Sequence, residues 1–268
     1  ADQGIDGIDS CVSFWRSHPE VLLTGLHEPD NRTIPTLTIK DVTFAILNYT
    51  YGPNYEIVSN KLASRMELLC ARNEQTGAMD YTTINPQVLE DIKTAKELAD
   101  IVVVCPNWGT EYQTSPSSYQ QKFARQMTEA GADLIIGAHP HVVQPIEQIQ
   151  TDNGNSSICY YSLGNYVSTQ QNGRSMLEGM AWVTYHVAQD GISLRENKTG
   201  VIPLVCHYTS SPVRIQNIYP LEDYTQELAS SHGIISYGGI SFSLSDLQQW
   251  STETFGDWVL TKDAVLSD

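Results

Sequence analysis

The stretch DIVVVCPNWGTEYQTSPSSYQQKFARQMTEAGADLIIGAHPH, residues 100–141, decides the fold class. It opens on a short β-branched run, DIVVVCP, the composition of a strand buried on both faces. A helix is expected to begin near Ser115-Pro116, with Tyr119, Phe123, Met127 and Ala130 on its inner face and Gly131 at its end. DLIIG then reads as another buried strand. Strand, helix and strand at these lengths make a parallel βαβ unit. Neighbouring parallel strands share one carboxyl edge, and ligands bind there. The loops that follow the two strands, NWGTEY (107–112) and AHPHVVQP (138–145), are therefore expected to face a common crevice.

Working outward, Asn85 followed by Pro86 is a helix start: an N-cap, then proline at the first helical position. Val88, Leu89, Ile92, Ala95 and Ala99 recur after it at helical spacing. Upstream, Ile8, Val12 and Trp15 mark one face of a helix within residues 4–17. EVLLTGL (20–26) reads as a short strand, and TLTIKDVTFAILNYTYGPN (36–54) as two strands around Lys40-Asp41. Downstream, ICYYSLGNYVS is a strand ending in a Gly-Asn loop. GMAWVTYHVAQDGISLRE reads as two antiparallel strands turning at Asp190-Gly191, and GVIPLVCHYTS as one more. The tail has helical patterns around 222–231 and 244–251. The whole is expected to be one α/β domain over 1–210 with a C-terminal extension, 211–268, packing on it.

Composition narrows the partners. Against 15 basic residues stand 31 acidic ones, a formal net charge of −16. Such a chain repels nucleic acid and anionic membrane surfaces. No apolar run approaches the length of a membrane span. The five cysteines are scattered, with no CxxC, and Cys105 and Cys159 lie in apolar runs as small core residues.

His139 and His141 stand on one loop around a proline, and neutral imidazole is a common ligand of transition metals. The other reading of the pair is one cap and one packed core histidine. NWGTEY adds Asn107, Trp108 and Glu111 to the same crevice. Asn107 and Glu111 can offer oxygen to a metal or hold a substrate hydroxyl, whereas Trp108 equally suits packing at the rim. His18, His27, His186 and His207 read as surface or packing residues. Phosphate-loop, dinucleotide, serine-hydrolase and HExxH motifs are absent.

Several motifs in order, CPNWGTEYQTSPSSYQQ, GADLIIGAHPHVVQ and YYSLGNYV, resemble the CapA/PgsA-type capsule, or poly-gamma-glutamate, synthesis proteins. The resemblance runs from about residue 2 to 185. It implies a layered α/β sandwich of the calcineurin-like metallophosphoesterase type, with mixed sheets flanked by helices. It also implies a site holding one or more divalent ions (manganese, zinc, magnesium or calcium). Carried over, His139 and His141 are the paired ligands, Glu111 is the acid of the family's HWGxE, and Asp2 is the acid of its NNHxxD. These would be the catalytic group. Asn107 occupies the position of a ligand histidine. Asn165 matches the SLGN asparagine and, with Trp108, would meet substrate. The resemblance implies metal-assisted hydrolysis of a polymer amide or a phosphoester, or else a non-catalytic part of a capsule assembly or export complex. The partner would be the capsule polymer or its biosynthetic machinery. The place would be the outer face of a bacterial cell, with membrane anchoring through a segment outside this chain. Measured against the family pattern, the chain is expected to be the downstream part of a longer protein.

Overall fold

A computed structural model describes residues 3–53, 57–189 and 191–266. Contacts divide the chain into two compact units: Ala1–Trp108, Ser117–Gly137 and Gln148–Cys159 form the first, and Gly109–Pro116, Ala138–Glu147 and Tyr160–Asp268 the second. Asp2, with its expected acidic role, lies outside the described residues.

The first unit opens on helix α1 (Gly4–Arg16). Its Ile8 and Val12 are buried against Val58, Leu62, Met66 and Leu68. Strands β1 (Thr36–Ile39) and β2 (Val42–Thr50) form the expected antiparallel pair. Lys40 and Asp41 between them take positive φ of 49° and 66°, the backbone of a tight hairpin turn. Short elements follow: α2 (Asn60–Ala63), β3 (Cys70–Arg72) and β4 (Met79–Ile84). Helix α3 (Pro86–Leu98) is capped by Asn85, whose side chain accepts from Gln87 N–H. Strand β5 (Ile101–Asn107) pairs parallel with β2. Helix α4 (Ser118–Ala130) leads to β6 (Leu134–Ile136), which pairs parallel with β5. The βαβ unit read from residues 100–141 is thus present.

Six strands form the main sheet in the order β1-β2-β5-β6-β8-β7, where β7 is Val143–Gln150 and β8 is Ser156–Leu163. Both of these last strands are divided between the units. The first-unit share of β8 is tied down by Thr128 and Ser157, whose buried hydroxyls lie 2.6 Å apart. Lys96 holds Asp133 at 2.7 Å, and Asp133 accepts from Val102 N–H, which fixes the start of β6 beside β5.

The second unit is built on a three-stranded antiparallel sheet, β13-β12-β9, with β9 at Leu177–Trp182, β12 at Gly200–Ser210 and β13 at Val213–Pro220. A separate hairpin pairs β10 (Tyr185–Ala188) with β11 (Gly191–Leu194). Helices α5 (Gln226–Ser231), α6 (Leu244–Phe255) and α7 (Lys262–Leu266) complete it. All five cysteines are free thiols; Cys159 is fully buried and Cys105 half-buried.

Three expectations need correction. EVLLTGL is not a strand: Leu26 makes a single bridge to Met66, while Val21 and Leu22 are exposed. Turns hold the segment instead, with Val21 N–H donating to the His18 carbonyl and the Thr24 hydroxyl to the Ile46 carbonyl. Helix α4 starts at Ser118 rather than at Ser115-Pro116, because Ser117 and Gln120 form a capping box. Its buried face is accordingly Gln120, Phe123, Ala124, Met127 and Thr128, and Tyr119 is exposed. The run from Gly179 to Ala188 is two strands in two sheets, broken at Thr184. The Thr184 hydroxyl donates to the Lys198 carbonyl there, and its N–H to Thr199.

A buried charge network in the first unit escaped the sequence reading. Arg32 donates to both Glu67 and Asp91, and Tyr49 donates to Asp91 at 2.8 Å. Gln87 adds a further donor to Asp91 at 3.0 Å, and His27 lies 3.4 Å from Glu67. Asp91 is only 4% exposed, so the ring of donors is what makes its burial tolerable.

Candidate metal centre

The two histidines sit on a loop whose backbone departs from ordinary geometry. His139 has φ of 102° and His141 of 59°, on either side of Pro140. A non-glycine residue there costs of the order of 1 kcal/mol or more. The loop is held in this shape from outside itself. Tyr112, also at positive φ (63°), donates its N–H to the Pro140 carbonyl at 2.7 Å. Gln144, fully buried, donates its amide to the carbonyls of Gln113 (2.8 Å) and Ser115 (3.2 Å). Two ties therefore bind segment 109–116 to segment 138–147 within the second unit.

The result is one cluster of three donors. Ligand atoms of Glu111, His139 and His141 all lie within 4.8 Å of one another. His141 Nε2 is 3.9 Å from Glu111 Oε1. Ligands about 2.1 Å from a single ion stand about 3 to 4 Å apart, so closing the triad on a cation takes a shift of about an ångström. Glu111 is exposed and free to make it. Two imidazoles and a carboxylate suit a borderline divalent ion better than a hard one, which prefers all-oxygen sets.

Asn165 settles how His141 is presented. Its Nδ2 donates to the His141 carbonyl (3.3 Å) and to Gln170 Oε1 (3.1 Å), which leaves Oδ1 as the acceptor facing His141 Nδ1 at 2.7 Å. His141 Nδ1 must then carry the proton, and Nε2 keeps its lone pair for the Glu111 side. This is the usual support of a metal-ligating histidine. Burial, together with the neighbouring His141, lowers the pKa of His139, so its ring is neutral at physiological pH and fit to ligate.

Asn107 and Trp108 belong to the first unit. Asn107 ends β5 in the first unit, with its carbonyl accepting from Tyr51 N–H at 2.9 Å. Trp108, next in the chain, is only 2% exposed and packs in that unit's core. Sequence reasoning missed Gln144 as the tie between the loops. Its signal was a lone amide directly after two valines, in HVVQ, and it is the second residue of β7.

Comparison with known proteins bears on the whole arrangement. Residues 1–170 match the family described as bacterial capsule synthesis protein PGA_cap. The chain is 33% identical over 217 residues to the PGA biosynthesis protein CapA of Bacillus subtilis (strain 168), covering 80% of this chain and 50% of that protein. It is 32% identical over 209 residues to the capsule biosynthesis protein CapA of Bacillus anthracis, covering 76% and 44%. The chain thus spans about half the length of the curated relatives it matches.

Proposed function

Because the chain belongs to the bacterial capsule synthesis protein PGA_cap family, we propose that it serves capsule or poly-gamma-glutamate biosynthesis through a divalent metal centre formed by Glu111, His139 and His141, acting on a polymer amide or a phosphoester. The observation that carries this reading is the convergence of the three donors, from loops some thirty residues apart, within 4.8 Å.

A divalent cation held there supplies Lewis acidity toward a carbonyl or phosphoryl oxygen. The chain's own groups do the rest. His141 offers Nε2 while Asn165 retains the proton on Nδ1. His139, neutral, donates its own ring nitrogen. Glu111, exposed and 3.9 Å from His141, would hold the cation through one carboxylate oxygen and take a proton from an attacking water on the other. The formal charge of −16 opposes an acidic polymer, and a cation at the triad gives such a polymer one point of attraction. We place this activity on the outer face of a bacterial cell; no helix among the described residues is long and apolar enough to cross a membrane.

The test is metal titration by calorimetry, with Mn²⁺ and Zn²⁺ separately, followed by assays of a phosphodiester and of poly-gamma-glutamate. Binding that disappears in the His139→Ala, His141→Ala double variant supports the centre. Absence of binding up to millimolar metal sinks it. A second reading, a non-catalytic component of a capsule assembly or export complex, is favoured by Asn107 standing where the family pattern has histidine. Metal binding without turnover of either substrate would select it.

A further inference from the structure

Behind Asn165 lies a carboxyl group that the proposed chemistry does not use. Glu178, on β9, is fully buried. Its Oε2 accepts the Asn165 N–H, and the Tyr166 N–H also donates to the carboxyl. Gly164 lies so close that a Cβ there would overlap Glu178 Oε2, and its φ is +79°. The turn Gly164-Asn165-Tyr166 therefore wraps the carboxyl directly. Cys206 on β12 holds the far side of the same loop, donating Sγ to the Ser168 carbonyl at 3.3 Å. Glu178 Oε1 is buried and meets no hydrogen-bond partner.

A buried acid with an unsatisfied oxygen is costly, and it persists where it holds something in place. What it holds is the backbone of Asn165, whose side chain sets the tautomer of His141. Building on the metal reading above, we propose that Glu178 is a positioning residue of the Glu111–His139–His141 centre: it anchors the Asn165 turn so that His141 keeps its Nδ1 proton and presents Nε2. Burial pushes the Glu178 carboxyl up to about 8, so at neutral pH it is largely uncharged. A glutamine in its place would keep the oxygen that accepts from Asn165 and Tyr166. A leucine fills the same space and offers no acceptor.

The experiment compares the wild type with Glu178→Gln and Glu178→Leu by ¹⁵N chemical shifts of His141 in metal-free protein, and by Mn²⁺ titration. The wild type and Glu178→Gln should show His141 as the Nδ1–H tautomer. Glu178→Leu should give a mixture of tautomers, with Mn²⁺ affinity weakened about tenfold, the low end for loss of outer-shell support. An unmixed Nδ1–H tautomer in a folded Glu178→Leu overturns the proposal, whatever the metal does. If the wild type binds no Mn²⁺, the metal reading fails while the tautomer comparison still decides the role of Glu178. Should Glu178→Leu not fold, amide exchange in the wild type decides instead. Protected Asn165 and Tyr166 amides support the anchor, and exchange at free-loop rates overturns it.

Discussion

Acidification should destabilise the second unit through its buried and half-buried histidines, His232 above all. This residue is 2% exposed and uses both ring nitrogens: Nε2 donates to the Cys206 carbonyl at 2.8 Å, and Nδ1 accepts from Ile234 N–H at 3.0 Å. Only the neutral ring can make both bonds. Burial lowers its pKa from the ordinary 6.5 to about 4. The unfolded chain therefore binds a proton that the folded one refuses between these values. Stability is whole above pH 6.5 and falls as pH drops from there toward 4. Linkage over that interval amounts to about 3 kcal/mol, nearly all of it lost by about pH 4. Carboxylates elsewhere also titrate in this range, so the measurement must be a difference. Urea unfolding of the wild type and of His232→Asn, followed by a signal from the second unit at several pH values, isolates the histidine. Asparagine keeps an acceptor for Ile234 N–H and cannot titrate. The wild type should lose about 3 kcal/mol more than the variant between neutral pH and about 4. Parallel pH curves for the two proteins, or a folded-state NMR titration of His232 above pH 6, would refute the reasoning.

Other expectations follow from the same kind of argument. Glu178 titrates in the opposite sense: its folded value of about 8 exceeds its ordinary 4.5, so its burial is harmless in acid and its cost grows as pH rises from 4.5 to about 8. Glu178→Gln should therefore raise stability relative to the wild type by up to about 3 kcal/mol around neutral pH, with no gain in acid, as read from urea midpoints. Arg32→Met leaves Asp91, among the described residues, with Tyr49 and Gln87 as donors and should cost about 3 kcal/mol in the same assay. A change below about 1 kcal/mol would mean the network is solvated rather than structural. Gly164→Ala adds a Cβ against Glu178 at positive φ and should lower the melting temperature by several degrees, about 1 kcal/mol or more. An unchanged melt would show that the turn relaxes.

The parallel core was legible because its signals are local. Asn85-Pro86, the β-branched run from Ile101 and the capped helix before Gly131 each declare an element within a few residues. The site followed from topology, since two strands pointing the same way deliver His139, His141 and Glu111 to one place. Long-range pairing was harder to read. Nothing local distinguishes Gly179–Trp182, which joins β12, from Tyr185–Ala188, which pairs with β11 instead. Nor does the sequence show that Arg32 meets a residue 59 positions on. A trace was there: Asp91 shares the inner face of α3 with Val88, Ile92 and Ala95, and a charge on such a face implies a partner. Glu178 and His232 gave no comparable sign, because each is explained by what folds over it.

The loop geometry at His139 and His141 makes these positions a place where activity and robustness pull apart. At φ of 102° and 59° both backbones sit where glycine rests without strain. Replacing either histidine by glycine would remove a ligand and, at the same stroke, relieve the chain. A protein kept only for its fold would drift toward glycine there. Imidazole on a contour unsuited to it thus sets ligation against fold at these two positions, readable as thermal stability gained by a variant that has lost the ligand, before any substrate is in hand.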